Sequence, residues 1–264
     1  MELLSLKGVY QTFPIREKEL VILDNINLFI NEGKFVSMVG PSGSGKSTIL
    51  RIIAGLLNPT SGEVICKGEK IKGINPYTSM VFQTFGLLPW LDVTENITIG
   101  LEARGMPIKE RLRKAFKYID LVGLEGFEEA YPRELSGGMK QRVGIARALV
   151  MEPDLLLMDE PFSSLDVFTA ENLRSEIINL WMSGKLSVKS ILLVTHNIEE
   201  AITLSDQVII LTSHPGRIIG NINIELERPR VRESVEFNNI YDKIYSMVIG
   251  STVATKEVKP LQGT

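Results

Sequence analysis

An apolar strand that runs into a glycine-rich turn and then a helix limits this chain's folding options more than any other feature. Phe35-Val36-Ser37-Met38-Val39 reads as the strand, GPSGSGKST (40–48) as the turn, and a helix is expected from about Lys46 to near Gly55. The nonamer fits G-x-x-x-x-G-K-[ST] with Gly40, Gly45, Lys46 and Ser47. Small residues let the backbone of Gly40, Pro41, Ser42, Gly43, Ser44, Gly45, Lys46, Ser47 and Thr48 wrap a dense anion without side-chain clash. The start of the following helix adds the positive end of its dipole. Lys46 supplies a cation for the outer phosphates of a nucleoside triphosphate, and Ser47 an oxygen for Mg²⁺.

Further strands and helices alternate along the chain. Residues 20–30 read as a strand, as does the run beginning at Glu63–Cys66. Asp154–Met158, Ile191–Val194 and Val208–Leu211 are continuous apolar runs of the buried parallel type. Helical periodicity marks 109–122 and 139–150. The expected fold is therefore α/β: a phosphate-loop core with a parallel sheet, an N-terminal antiparallel β subdomain, and a helical subdomain inserted at about 85–150. The main domain is expected over 1–215, followed by a short tail at 216–264 with one short helix over 241–248.

Composition narrows the classes. Twenty-nine basic against 32 acidic residues leave a net charge of −3, so no nucleic-acid partner is expected. No apolar run approaches the roughly 18 residues of a membrane span. The opening stretch has no secretory-signal pattern, and the single cysteine, Cys66, has no partner within the chain. A peripheral protein in a reducing, cytoplasmic setting is expected.

Two further stretches carry chemistry. LLLMDEP (155–161) ends a buried strand in adjacent carboxylates, where ligands of α/β sheets bind. Asp159 is placed to hold Mg²⁺, and Glu160 to orient and deprotonate an attacking water. Taken alone, Asp-Glu-Pro also fits a solvated turn. LSGGMKQR (135–142) opens a helix with Ser136 as N-cap and Gly137-Gly138 leaving the backbone N–H groups bare. It fits an ordinary capped helix, or an anion site shared between two chains arranged head to tail.

Together GPSGSGKST, LSGGMKQR and LLLMDEP resemble the nucleotide-binding subunits of ABC transporters, in the family's order and over about residues 1–215. The resemblance implies ATP and Mg²⁺ as ligands, ATP hydrolysis as the activity, and a homodimer. It implies that Gln83 contacts Mg²⁺ and water and reports to a membrane permease gripped near Gln83–Trp90. It further implies that Asp166 lies in a loop crossing the dimer interface, that His196 contacts the γ-phosphate, and that Phe13 stacks on adenine, with Tyr10 as rival. Each residue has a plainer reading: Gln83 as a surface side chain, His196 as structural, Phe13 as core, and Trp90 as buried in the helical part. His214 reads as a loop residue.

GLLPW (86–90), YPRELSGGMKQR (131–142) and HPGRI (214–218) resemble the importer group for nitrate, sulfonates, taurine and bicarbonate. That group implies an extracytoplasmic substrate-binding protein and a place on the cytoplasmic face of the membrane. Asn197, Ser164 and a longer 181–190 depart from its usual pattern. A non-transport ABC ATPase and a non-catalytic ATP-binding regulator are the rival readings. The first is expected to carry a long coiled coil or two nucleotide domains, and the second has no use for Glu160 and His196.

Overall fold

The computed structural model describes residues 1–15 and 18–256. In chain order the elements are β1 (Glu2–Ile15), β2 (Lys18–Asn31), β3 (Phe35–Val39), α1 (Lys46–Ile53), β4 (Ser61–Cys66), β5 (Glu69–Lys70), β6 (Thr78–Val81), α2 (Val93–Ala103), α3 (Ile108–Leu121), α4 (Gly137–Leu149), β7 (Leu155–Asp159), α5 (Val167–Met182), β8 (Ser190–Val194), α6 (Ile198–Leu204), β9 (Gln207–Leu211), β10 (Ile218–Asn223) and α7 (Val235–Lys256). They form two compact units, one of Met1–Pro76 with Ser190 onward, the other Tyr77–Lys189.

The first unit holds two sheets. One is antiparallel, in the order β2-β1-β4-β5, with bulges between β1 and β2. In the other, β3 lies parallel between β8 and β9, and β10 runs antiparallel to β9. All five residues of β3 and of β8 are buried. That is why both read in the sequence as unbroken apolar runs rather than alternating ones.

Ile222, Ile224, Phe237 and Ile244 lie in this unit's core, although the sequence after 216 reads as a polar tail. The helix expected over 241–248 extends over 235–256, and residues 257–264 lie outside the described residues. Phe237 and Ile244 of α7 pack with Ala201, Ile202, Val208, Ile210 and Ile222. Each such large side chain contributes about 1.5–3 kcal/mol by leaving water. Arg230 donates to the carbonyls of Ile202 and Ser205, satisfying orphan acceptors at the end of α6. Burial pushes its guanidinium pKa down to about 10.

In the second unit β6 and β7 pair in parallel. α2 starts with a capping box: Asp92 accepts from the Glu95 N–H, and Glu95 accepts from the Asp92 N–H. α2, α3 and α4 pack on one another, burying Ile97, Leu101, Ala115, Ile119, Val143 and Ala146. Among the described residues no helix is long and apolar enough to cross a membrane.

Candidate active site

In the first unit, β3 delivers the chain into residues 40–48, and the backbone there is set by contacts only glycine allows. Gly43 and Gly45 have φ of +79° and +83°. A Cβ on Gly45 would lie 2.4 Å from Leu23 Cδ2, and one on Gly40 2.8 Å from the Leu211 carbonyl oxygen. The loop is thus packed tightly against Leu23 and Leu211, and its left-handed glycines set a turn whose backbone N–H groups suit a polyphosphate. Gly45 caps α1 without a side-chain acceptor, leaving that helix start to an anion. The Lys46 ammonium donates to the carbonyls of Gly40 (2.8 Å) and Pro41 (3.0 Å), so it spans the loop it belongs to.

Gly45→Ala combines a left-handed backbone with a steric clash, whereas Gly33 has a φ of +77° and nothing within 4 Å of where a Cβ would stand. The expected loss of stability is about 1–3 kcal/mol for Gly45→Ala and less for Gly33→Ala, read from urea unfolding midpoints. Equal losses would show that Leu23 does not constrain the loop.

The segment after β9 closes the back of the cradle. A Cβ on Gly43 would sit 3.3 Å from His214 Cε1 and Nε2, and one on Gly216 2.2 Å from the Ser44 carbonyl oxygen. The Gly216 N–H donates to Ile22 (2.8 Å), and its carbonyl accepts from the Asp24 N–H (3.0 Å). Arg217 pairs with Asp24. His214, which reads from sequence as a loop residue, therefore lies against the phosphate loop. The HPGRI run is the only trace of this in the sequence.

Phe13 lies on β1 opposite Leu20 and is 38% exposed, so it is not a core residue. Tyr10 is half-buried, opposite Ser61. His196 is exposed, two residues past β8 and just before Asn197, whose side chain caps α6.

In the second unit, β7 ends on Asp159, 6% exposed. Glu160 follows with a φ of +45°. Its carbonyl accepts from Ser163 N–H (3.2 Å) and Oγ (2.9 Å), which fixes the turn. Gln83, just past β6, donates from Nε2 to Glu160 Oε2 at 3.2 Å. Two residues 77 positions apart in the chain are thus joined. Ser136 caps α4, accepting from the Met139 N–H at 3.3 Å. Gly138 is closely packed, because a Cβ there would lie 2.5 Å from Thr169 Cγ2. Asp166 accepts from the Thr169 N–H at 3.0 Å, capping α5, and hydrogen bonds from Thr169 hold its carboxyl below the usual range. Trp90 is 68% exposed, in a loop that buried Asn96 pins through Leu88, Leu91 and Asp92.

A lysine-spanned glycine cradle opening a helix, on a sheet with parallel strands, defines a phosphate-loop nucleotide-binding protein. The chain belongs to the ABC transporter family, whose model matches residues 23–163, and it is an ATP-binding, ATP-hydrolysing member of that family. It is similar to an uncharacterized ABC transporter ATP-binding protein of Methanocaldococcus jannaschii, at 46% identity over 93% of this chain and 91% of that one. It is 44% identical to the nitrate import ATP-binding protein NrtD of Synechocystis sp., over 94% and 95% of the two chains. The aliphatic sulfonates import ATP-binding protein SsuB of Bacillus cereus is 41% identical over 91% and 93%. Among solved structures, a dimeric post-hydrolysis state of the ATP-binding cassette MJ0796 bound to ADP and Pi aligns with a TM-score of 0.74 and 34% identity. It covers 85% of this chain and all of that one.

Proposed function

We propose that this ATPase energises an importer for a small anion of the nitrate, sulfonate, taurine or bicarbonate kind. It works as a homodimer against membrane permease subunits on the cytoplasmic face, and an extracytoplasmic binding protein delivers the anion. The relatives named for nitrate and aliphatic sulfonate import support the substrate class. The observation that carries the reading is the Gln83–Glu160 hydrogen bond. It ties the best-placed general base to a loop that leads within seven residues to an exposed tryptophan.

In this reading Phe13 stacks on adenine. Residues 40–48 hold the phosphates, and the Lys46 ammonium turns from its own loop carbonyls toward the β/γ oxygens. Ser47, Asp159 and Gln83 offer a hydroxyl, a carboxylate and an amide oxygen, a hard donor set that fits Mg²⁺ sharing the phosphates. Bound there, Mg²⁺ would offset negative charge on the β/γ oxygens. Glu160 accepts a proton from the attacking water, and His196 contacts the γ-phosphate. Ser136, Gly137 and Gly138 of the second copy present the start of α4 to that same group, with Asp166 at the crossing loop. ATP favours the closed dimer because only its γ-phosphate engages both copies, and phosphate loss removes that difference. The helical part at about 85–150 belongs to the same reading, with the permease gripped near Gln83–Trp90.

The test is ATP hydrolysis in proteoliposomes carrying this chain with its permease and binding protein. Hydrolysis should rise with nitrate or a sulfonate; a response confined to neutral sugars or amino acids would reject the anion class. Trp90→Ala removes an exposed aromatic anchor of the kind that costs about 2 kcal/mol or more at interfaces. The expected result is a roughly 30-fold weaker affinity for solubilised permease, read by titration; unchanged affinity would move the contact elsewhere.

A further inference from the structure

Arg147 and Phe85 stand out in no sequence motif, yet they connect the start of α4 with the loop that carries Trp90. Gly137, Gly144 and Arg147 recur at i, i+7 and i+10, so they share one stripe of α4. Phe85 lies along that stripe. Its carbonyl accepts from Arg147 Nη2 at 2.9 Å, and the next carbonyl, of Gly86, accepts from Arg147 Nη1 at 2.6 Å. A Cβ on Gly144 would meet the same Phe85 oxygen at 3.4 Å, so the helix approaches the loop closely there. At the other end, the Phe85 ring tip, Cζ, lies 4.0 Å from where a Cβ on Gly137 would stand. The backbone is strained at Phe85, which has a φ of +39°, and the following Gly86 takes a φ of +59° that glycine adopts freely. A bulky residue in the left-handed region persists only where its surroundings enforce it. Here the enforcing group is the Arg147 fork, largely withdrawn from water, whose pKa burial lowers.

We propose that Phe85 and Arg147 form a latch that transmits the state of the α4 N-terminus to residues 87–90. This rests on the reading that Ser136–Gly138 meet the second copy's nucleotide. An anion at the start of α4 shifts the backbone of Gly137 against the Phe85 ring. Arg147 holds the Phe85 and Gly86 carbonyls to the helix body, so the ring cannot yield without moving the loop. The movement emerges at Leu87–Trp90, the residues that follow directly. Phe85 and Arg147 are positioning residues: neither touches the nucleotide.

Trp90 itself serves as the probe. In the full-length Glu160→Gln, Trp181→Phe chain it is the only tryptophan. The dimer formed at saturating ATP is isolated by size exclusion, and its emission is compared with that of the nucleotide-free chain. A clear change is expected, reduced by more than half in Phe85→Ala and Arg147→Lys and retained in Phe85→Tyr, which keeps the ring. Because the signal is read on isolated dimer, altered affinity does not enter. Thermal melts identify variants that merely unfold, and Phe85→Tyr against Phe85→Ala decides the matter if Arg147→Lys is unstable. A full response in Phe85→Ala, or a dimer whose Trp90 is silent, overturns the latch and leaves the nucleotide sandwich standing. Failure of the parent chain to dimerise with ATP instead rejects the sandwich, and the latch with it.

Discussion

Glu160→Gln is expected to lower ATP turnover about 10²- to 10⁴-fold, the range a positioned general base contributes, while ATP still binds. The side chain does not wander: its own backbone is locked by two bonds from Ser163, and Gln83 donates to its carboxylate. Glutamine preserves the length and the turn but has no carboxylate to take the proton of water. The phosphate cradle is untouched, so binding persists and the closed dimer accumulates. Stopped assays of phosphate release, with size exclusion in ATP, read both effects. Wild-type turnover in this variant would remove Glu160 from the chemistry and leave Asp159 or a phosphate oxygen as acceptor.

Lys46→Ala is expected to weaken ATP and ADP binding by about 10- to 100-fold. A hydrogen bond to a charged group contributes roughly 1.5–3 kcal/mol, and the ammonium is the one cation inside residues 40–48. Its bonds to Gly40 and Pro41 also tie the loop's first turn to its last. The variant therefore loses a charge and a brace together, and both nucleotides suffer, ATP more than ADP because it presents the γ oxygens as well. Isothermal titration checks this, with Lys46→Arg as the charge-retaining control. Unchanged affinity would contradict the phosphate-loop assignment outright.

What can be read without coordinates follows from physics local to the chain. β3, β7 and β8 are buried along their whole length, so their apolar runs stand out. The Ser136 cap is visible because a small oxygen before two glycines leaves few other readings. α2 escapes the periodicity reading although Asp92-Val93-Thr94-Glu95 spells its capping box. α5 escapes it because its apolar residues are spread around the helix, with Val167 and Phe168 exposed, so periodicity gives no stripe. β10 depends on β9 for its identity, since only Ile222 along it is buried. Gln83 is placed by family resemblance alone; its bond to Glu160 is a long-range fact. So are the Phe85 strain, the Arg147 fork and the ring of His214 on Gly43. Each depends on a φ or an approach between distant segments, which local pattern does not encode.

Trp90, Ile108 and Phe116 are 68%, 61% and 45% exposed, all on the unit that ends at Lys189. Groups this greasy and this open favour self-association when nothing covers them. In the proposed assembly the permease covers Trp90, and a surplus of this subunit over the permease would leave that side chain open to solvent. On the same reading, recombinant chain should be more soluble when expressed with its permease than when expressed alone.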